Sequence, residues 1–313
     1  MGRKLKGQKG NTKGLKGALI RHVQKDKLKK ELVKTAEVQK EQKTLKEKSM
    51  KNGGSKKKQQ NQQQTKGLIP FNRDDTLLLV GEGDFTFARS IIEEAYILPE
   101  NLIATSFDSL QQLQEKYPGV DDILASLKDY GVRVYHDIDA MNLVTSMKLN
   151  TSKSKNKPLF KNKANLDYIM FNFPHTGRGM KDVDRNIRDH QRLILNYFQS
   201  CKELFSLVNN EVKNDFGGYE QTAKTGKIVI SMFEGEPYIS WGIKILGRSE
   251  NYRLERSGKF DWNNFPLYHH KRTNGIRDTT KPAAERDARV YVFEEQEKRP
   301  DKEKEDNSDN DDD

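Results

Sequence analysis

The chain has 313 residues, of which 34% are hydrophobic and 33% charged, and its formal net charge is +10 at pH 7. Residues 1–66 carry 21 Lys and Arg against 5 Asp and Glu, whereas residues 294–313 carry 11 acidic and 4 basic side chains. The excess positive charge therefore belongs to a terminal segment and not to a fold. Residues 67–293 are long enough for one α/β domain with a large core.

Composition also excludes some classes of protein. Cys201 is the only cysteine, so a disulfide within the chain and a Cys-based zinc site are both excluded, and a reducing compartment is expected. The first residues lack the apolar core of a signal peptide, and no apolar run is long enough to span a bilayer. We therefore expect neither a membrane nor a metal among the partners.

The two ends of the chain differ from its middle. Residues 1–66 are rich in Lys, Gly and Gln, which predicts a basic, largely disordered tail that binds RNA or serves targeting. Residues 294–313 are predicted to form an acidic disordered tail. Two polar stretches, 148–166 and 209–226, are predicted to be mobile surface insertions within the domain 67–293.

Strand and helix patterns alternate through residues 67–293. The first five predicted strands are apolar on both faces, as in a parallel sheet covered by helices, and the last two lack a clear helix between them. This order predicts an α/β protein with the class I (Rossmann-like) methyltransferase fold, in which a mostly parallel seven-stranded sheet ends in an antiparallel edge hairpin. The predicted strands are 76–80, 102–107, 132–136, 167–172, 227–232, 252–260 and 288–293, and the predicted helices are 84–96, 109–117, 121–130 and 179–207.

The stretch VGEGDFTFARS, residues 80–90, follows the first predicted strand. Gly81 and Gly83 would let the backbone approach a ligand closely at this turn. Thr86 occupies the third glycine position of the dinucleotide motif, which disfavours a nicotinamide dinucleotide. A tight turn without any ligand is the alternative interpretation of the glycine pair.

Acidic residues follow the next two predicted strands. Asp108 is placed to accept hydrogen bonds from both ribose hydroxyls, and Asp137 to contact an adenine amino group with Ile138 against the ring. Each aspartate alone could be a helix cap or a turn residue. Together with the glycine turn, they favour S-adenosylmethionine as the cofactor.

One position departs from the pattern of many class I methyltransferases, which carry an acid two residues before the first glycine. Leu79 occupies that position here. We therefore expect Glu82 or Asp84 to contact the amino group of the methyl donor. Phe85, the next residue, completes the predicted cofactor-binding set.

The fourth predicted strand ends in the sequence DYIMFNFPHTGRG, residues 167–179. Asn172, Phe173, Pro174 and His175 loosely match the N-P-P-[FY] loop in which an amide orients a planar nitrogen and an aromatic ring stacks on a base. This places Asn172 and His175 as catalytic candidates, with His175 either the base or a turn residue. Phe173 and Pro174 are candidates for substrate binding.

Basic residues surround the start of the following helix. Arg178 and Arg188 are candidates for binding substrate phosphate, since helix N-termini attract anions. The alternative is an ordinary solvated helix face.

Several unusual stretches, taken in order, resemble a known family. GEGDFTFA, TSFDS, FNFPHTGRG, HQRLILNYFQSCKELF and FEGEPYISWGIKILG are similar to the Rossmann-like domain of the fungal large-subunit (25S) rRNA (uridine-N3)-methyltransferases. Animal relatives join that domain to a ferredoxin-like anticodon-binding domain, which we do not expect here, because only the acidic tail follows. The resemblance covers roughly residues 70–293.

The resemblance implies a function and a location. Gly81, Gly83 and Asp108 would serve the methyl donor, and the FNFPH loop would face the uracil. The substrate would be ribosomal RNA in pre-ribosomal particles, in the nucleolus of the nucleus. Two alternatives remain at this point: a catalytically inactive ribosome-assembly factor that binds RNA, and a nucleotide-dependent oxidoreductase.

Overall fold

A computed structural model describes Lys30 and residues 67–149, 159–163, 165–180, 182–209, 225–271 and 286–296. The basic tail apart from Lys30, the acidic tail beyond residue 296, and most of the insertions 148–166 and 209–226 lie outside the described residues. The predictions for those segments stay predictions.

The described residues form one seven-stranded sheet in the order β3-β2-β1-β4-β5-β7-β6. Neighbours among the first five strands pair in parallel, whereas β7 pairs antiparallel with both β5 and β6. The predicted fold class is therefore confirmed, including the antiparallel pair at one edge. The strands are β1 (Leu77–Val80), β2 (Leu102–Thr105), β3 (Arg133–Tyr135), β4 (Tyr168–Asn172), β5 (Lys227–Phe233), β6 (Tyr252–Lys259) and β7 (Ala288–Glu295).

Helices cover both faces of the sheet. Helices α1 to α3 pack on one face and α4 to α6 on the other. The sequence pattern predicts neither α4 nor α6, because both are short. The bounds are α1 (Thr86–Glu93), α2 (Leu110–Lys116), α3 (Val120–Tyr130), α4 (Leu143–Ser146), α5 (Val183–Val208) and α6 (Ile243–Ser249).

The central strand β1 shows why the chain folds in this way. All four of its residues are buried, and successive side chains point to opposite faces of a strand. Leu77 and Leu79 join the core beneath α1, whereas Leu78 and Val80 join the core beneath α5. A fully apolar strand is therefore required at the centre of the sheet.

Several predicted boundaries are wrong: the helix predicted over 84–96 covers Thr86–Glu93, and the strand predicted over 102–107 ends at Thr105. Helix α5 begins at Val183 and not at residue 179, because Gly177 and Gly179 have φ of 68° and 59° and the Asp182 carboxylate caps the helix by accepting from the Arg185 amide at 2.9 Å. At the other end of the domain, β7 runs through Glu295, two residues beyond the predicted boundary at 293.

Ion pairs explain why two acidic residues continue β7. The Glu294 carboxylate lies 2.8 Å from Arg253, and the Glu295 carboxylate lies 3.5 Å from Lys202. Residues 294 and 295, which composition assigned to the acidic tail, therefore belong to the sheet.

The amide of Asn209 stabilises the connection that leads into β4. Its side chain accepts a hydrogen bond from the Leu166 amide at 2.8 Å and donates one to the Leu166 carbonyl at 2.9 Å, and both residues are buried. We expect Asn209→Ala to lower the free energy of unfolding by about 2–4 kcal/mol, because two buried backbone groups lose their partner.

Urea denaturation of the variant measures this effect. Glu203→Ala, an exposed change on α5, is the matched control and is expected to stay within about 0.5 kcal/mol of the parent. Equal stability of Asn209→Ala and the parent would contradict a stabilising role for the two hydrogen bonds to Leu166.

Candidate active site

The glycine turn after β1 has a structural reason of its own. Gly81 has φ of +70°, and a Cβ there would lie 2.4 Å from a ring carbon of Phe171 on β4. A Cβ on Gly83 would lie 3.3 Å from the Tyr117 hydroxyl. The turn also joins β1 to β2, because the Glu82 amide donates to the Thr105 carbonyl at 2.8 Å. Close packing of strands thus requires Gly81 even without a ligand.

Two acids in this turn are buried, each with 8% exposure. The Glu82 carboxylate accepts from the Ala88 amide at 3.2 Å, and the Asp84 carboxylate accepts from the Thr86 hydroxyl at 2.6 Å. Burial raises the pKa of Glu82 to about 8, and the charge of Asp84 adds to the effect. Burial also raises the pKa of Asp84, against the opposing effects of the Thr86 hydrogen bonds and the charge of Lys271.

Such a pair of acids has a clear chemical preference. A buried carboxylate is costly unless a positive group compensates it. The turn therefore fits a ligand that brings a cation, and the ammonium and sulfonium groups of S-adenosylmethionine are both cations.

Asp108 lies next to the acidic turn, beyond the end of β2. Its carboxylate pairs with the Lys116 ammonium of α2 at 2.7 Å. Tyr117 lies near Asp108 and Asp84. Burial raises the pKa of its hydroxyl to about 12, and the charges of these two aspartates add to the effect. The structure therefore brings the predicted ribose-binding acid into the same neighbourhood as the glycine turn.

Hydrogen bonds connect the residues that follow β2 to those that follow β3. The Ile138 amide donates to the Ser106 carbonyl at 2.9 Å, and the Ser106 hydroxyl lies 2.9 Å from His136 Nδ1. Asp137 is exposed with φ of 60°, whereas Ile138 is only 3% exposed. These contacts place Asp137 at the same edge of the sheet as Asp108, to whose carbonyl its amide donates at 3.5 Å.

Phe85 is part of the core and does not face an open site. Its side chain is fully buried, its φ is 59°, and its ring meets His136 edge-on at 5.9 Å. It therefore packs in the core at the start of α1.

The end of β4 carries orphaned polar atoms. Both the Oδ1 and Nδ2 of Asn172 are buried without a hydrogen-bond partner among the described residues, and so is the hydroxyl of Ser231. These two residues are partners in the β4–β5 register, so they lie side by side on one face of the sheet. A ligand that offers both a donor and an acceptor would satisfy Asn172.

Phe173 and Pro174 are buried, whereas a surface on which a base stacks would be exposed. Phe173 has φ of 49°, and its amide donates to the Ser231 carbonyl at 2.8 Å. Its ring lies 4.5 Å from the ring of Phe233 and stacks on Trp262 at 5.5 Å. The structure thus gives this part of the loop a packing function that sequence reasoning did not foresee.

His175 is exposed, and its ring is oriented by the backbone. The Gly177 amide donates to His175 Nδ1 at 3.0 Å. In the neutral ring a nitrogen that accepts leaves the proton on the other nitrogen, so Nε2 carries the proton. This geometry favours His175 as a hydrogen-bond donor at Nε2 over its predicted role as a base.

A second histidine fixes the same loop. His190 on α5 is fully buried, accepts from the Thr176 amide at 3.3 Å through Nε2, and stacks on Trp241 at 4.1 Å. Its ring centre lies 4.5 Å from that of His175. Burial lowers the pKa of His190, so the ring is neutral. Its hydrogen bond from Thr176 and its contact with the His175 ring stabilise the loop.

The two predicted phosphate ligands lie at the surface beside this loop. Arg178 pairs with Asp189 at 3.0 Å while its side chain stays 61% exposed. Arg188 is exposed on the first turns of α5. Both side chains are exposed and therefore accessible to a phosphate at the surface.

Sequence reasoning missed the segment 265–271. It follows β6 in the chain and contacts the residues after β1 and β4. The His269 amide donates to the Thr86 hydroxyl at 3.2 Å. The pKa of Tyr268 is raised by burial and then by the charges of Glu82 and Asp84, so its hydroxyl lies near the acidic turn.

The same segment also reaches the loop after β4. The His270 ring lies 4.8 Å from that of Phe173 and contacts the Tyr268 hydroxyl at 2.9 Å. Burial, followed by the positive charge of Arg286 and the interaction with His175, lowers the pKa of His270 to about 4. Segment 265–271 therefore joins the predicted cofactor residues to the predicted substrate residues. The adjacent histidines were visible in the sequence, but no local pattern shows where this long connection lies.

A cavity of about 520 Å³ lies away from this edge. Its lining includes Lys202, Gly226 and Tyr252, at the end of the sheet where β5 begins. It is therefore separate from the site built by Gly81 and Asn172. Within the described ranges, no helix is long and apolar enough to cross a membrane, and no group of three or more His, Cys, Asp or Glu side chains could hold a metal ion.

Comparison with known proteins gave matches over most of the chain. A family model described as rRNA (uridine-N3-)-methyltransferase BTM5-like matches residues 78–272. The 25S rRNA (uridine(2634)-N(3))-methyltransferase of Saccharomyces cerevisiae is 45% identical, over 94% of this chain and 93% of the yeast protein. The ferredoxin-fold anticodon-binding domain-containing protein 1 homolog of Mus musculus is 25% identical, over 69% of this chain and 30% of the mouse protein.

Solved structures resemble the chain more distantly. A putative tRNA (m1A22) methyltransferase of Streptococcus pneumoniae in complex with S-adenosyl-L-methionine aligns over 73% of this chain and 70% of that chain, with 10% identity and a TM-score of 0.32.

The raised pKa of Glu82 makes the stability of the fold depend on pH. The folded protein holds the Glu82 proton up to about pH 8, whereas the unfolded chain releases it near 4.5, so the free energy of unfolding falls as pH rises across that window. Glu82→Gln removes this loss and keeps an acceptor for the Ala88 amide. We expect the variant's stability relative to the parent to increase by roughly 2–4 kcal/mol between pH 5 and pH 8.

Denaturant unfolding at the two pH values checks this expectation. Glu94→Gln, an exposed change just after α1, is the matched control and should show no such pH dependence. An unchanged difference between Glu82→Gln and the parent at pH 5 and pH 8 would mean that the carboxyl is not held protonated.

Proposed function

Because the chain belongs to the family of rRNA (uridine-N3-)-methyltransferases, we propose that it transfers a methyl group from S-adenosylmethionine to N3 of a uridine in large-subunit (25S) ribosomal RNA. The observation that carries this proposal is the similarity to the yeast enzyme, which extends over 94% of the chain at 45% identity. The buried acids and the orphaned amide at one edge of the sheet support it independently.

The donor would be held by the residues that follow β1, β2 and β3. Gly81 and Gly83 allow its amino-acid part to approach the backbone, and Glu82 with Asp84 supplies the negative charge that its cationic groups need. Bound here, the donor supplies an electrophilic methyl carbon on a positively charged sulfur.

The nucleoside part of the donor extends along the same edge. The Asp108 carboxylate is placed to accept from ribose hydroxyls while Lys116 holds its orientation. Asp137 and Ile138 lie one strand further along, where the adenine would be recognised.

The loop after β4 would bind the uracil. Its imide edge offers a donor, N3–H, between two carbonyl acceptors, and the orphaned amide of Asn172 can donate to one of these carbonyls through Nδ2. His175 would donate to the substrate as well, through Nε2–H. We propose this donor role for His175, because its Nδ1 lone pair is already bonded to the backbone.

The chemistry of the base sets two further requirements. N3 lies on the Watson–Crick edge, so the target uridine must be unpaired or turned out of its helix. N3 also has to lose its proton before its electron pair can attack, so the site must favour the ionised base. Arg178 and Arg188 would hold the flanking phosphates.

A second candidate function is a catalytically inactive ribosome-assembly factor that binds RNA. Two observations favour it: packing against Phe171 explains Gly81, and the ion pair with Lys116 satisfies one oxygen of Asp108, both without a donor. Donor binding separates the two candidates, since an inactive factor with these packing roles has no need of S-adenosylmethionine.

Outside the enzyme domain, the basic residues 1–66 are proposed to bind RNA through charge and to direct the protein to pre-ribosomal particles in the nucleolus. The acidic residues at the end of the chain are proposed to form a tail that takes no part in the site. The catalytic domain itself corresponds to the sheet and its helices, from residue 67 to the end of β7.

Methylation of unmodified 25S rRNA by the purified protein, followed by nucleoside mass spectrometry for 3-methyluridine, tests the function. We expect Asp108→Asn to weaken donor binding at least about tenfold in titration calorimetry, because ribose hydrogen bonds to a charged acceptor are lost. Lys116→Ala, which removes only the ion pair, is the control and should keep most of the affinity.

Three outcomes decide between the candidates. Product formation with weakened binding in Asp108→Asn supports the enzyme and its site. Donor binding without 3-methyluridine would reject the assigned reaction, and no donor binding at all would favour the inactive assembly factor.

The basic tail is tested by its removal. A chain lacking residues 1–66 is expected to bind the donor as tightly as the full chain but to bind rRNA fragments at least about tenfold more weakly at physiological salt, because the tail neutralises phosphates. Filter binding across a salt series gives the affinity and its salt slope. Equal RNA affinity and an equal slope would place the RNA-binding surface on the folded domain.

A further inference from the structure

Arg286 lies two residues before β7, and none of the roles above uses it. Its guanidinium carbon lies 3.5 Å from the centre of the Phe233 ring, and its NH2 group donates to the Tyr238 hydroxyl at 2.8 Å. The guanidinium is thus fixed in position by a ring face and a neutral hydroxyl.

The acids near Arg286 have other partners. The Glu234 carboxylate pairs with Arg289 at 2.6 Å, and the Glu236 carboxylate accepts from the Ser240 hydroxyl at 2.6 Å. No carboxylate among residues 67–149, 159–163, 165–180, 182–209, 225–271 and 286–296 forms an ion pair with Arg286. This half-buried guanidinium therefore keeps its charge available for an anion.

Arg286 lies near the loop after β4. The ring beneath it, Phe233, lies 4.5 Å from the ring of Phe173 and 5.4 Å from that of His270. The charge of Arg286 also acts on His270, where it adds to the effect of burial in lowering the pKa to about 4. The guanidinium is consequently separated by one aromatic ring from Phe173, in the loop where the uracil would bind.

We propose that Arg286 stabilises the negative charge that forms on a carbonyl oxygen of the target uracil when N3 loses its proton. The inference rests on the proposed function and adds to it the group that makes the base ionise. A fixed cation beside apolar rings interacts with a developing anion more strongly than it would in water, and it needs no reorganisation.

The reaction balances without any proton transfer to or from Arg286. The N3–H bond breaks and its proton passes to solvent, the electron pair left on N3 forms the new bond to the methyl carbon, and the methyl–sulfur bond breaks with its electrons staying on sulfur. Arg286 lowers the pKa of the bound imide, so a larger fraction of the substrate is ionised at neutral pH.

Other titratable groups on the surrounding elements could contribute to a pH effect. They are His270 on segment 265–271, His175 after β4, Tyr238, Glu234 and Glu236 after β5, Asp287 beside Arg286, and Arg289 on β7. His270 is neutral at pH 7 because of its lowered pKa, so it adds no positive charge there.

The test is the single-turnover methylation rate against pH, on unmodified rRNA with saturating donor, for the parent, Arg286→Gln and Arg286→Lys. We expect Arg286→Gln to lower the rate at pH 7 by about 10²–10³-fold and to shift the rising limb at least about one pH unit upward, since the imide then ionises unaided. Arg286→Lys should recover part of both effects. RNA affinity should change by less than about threefold in either variant, because the charge is needed only after the base is bound.

A substrate with a more acidic imide isolates the effect. RNA containing 5-fluorouridine at the target position ionises more readily, so the deficit of Arg286→Gln should shrink on it. Arg248→Gln, which removes an exposed cation in the last turn of α6, is the control and should keep the parent's pH profile. Thermal unfolding confirms that each variant is folded, and if Arg286→Gln is not, Arg286→Lys with 5-fluorouridine RNA still gives the comparison.

The outcomes are distinct. An unshifted pH profile overturns the proposal, as does a loss that appears only in RNA affinity with a smaller salt slope, which would assign Arg286 to a backbone phosphate. A parent protein that forms no 3-methyluridine overturns the proposed function, and this inference with it.

Discussion

The buried acids of the glycine turn are the constraint on which the site depends. Glu82 and Asp84 are buried near Tyr268 at the carboxyl edge of the sheet, where ionisation is costly. The fold tolerates them because the carboxyls keep hydrogen bonds to the start of α1 and because the pKa of Glu82 is raised to about 8. A cationic ligand removes that cost, so binding of the donor and ionisation of the acids favour each other.

Packing and ligand binding make use of the same residues in this site. Gly81 is fixed by Phe171, Asp108 by Lys116, and Phe173 by the rings of Phe233 and Trp262. Each of these contacts holds a candidate group in place before any ligand arrives. Rigid placement of this kind reduces the entropy lost on binding, which is how a structural role and a functional role can coexist at one position.

The sequence predicts those parts of the site that follow directly from strand order. Gly81 and Asp108 follow buried strands and Asn172 ends one, and the carboxyl ends of parallel strands meet at one edge. Tyr268, His270 and Arg286 could not be found in this way, because they belong to the long connection between β6 and β7, whose path depends on tertiary packing. The same limit applies to His175, since its tautomer depends on a hydrogen bond to Gly177 that no spacing reveals.

The two sides of the site carry opposite charge, and the reaction explains why. Acids follow β1 on the side that would hold a sulfonium, whereas Arg286 stacks on Phe233 of β5, near the proposed position of the base that becomes an anion. Transfer of the methyl group combines that cation and that anion into neutral products, so charge is lost as the new bond forms. An apolar environment favours such a step once both ions exist, and the cluster of Phe173, Phe233 and Trp262 provides it. The polar groups are therefore needed to hold the sulfonium and to ionise the base. The aromatic groups let the two ions react, which requires both kinds of residue at the same edge of the sheet.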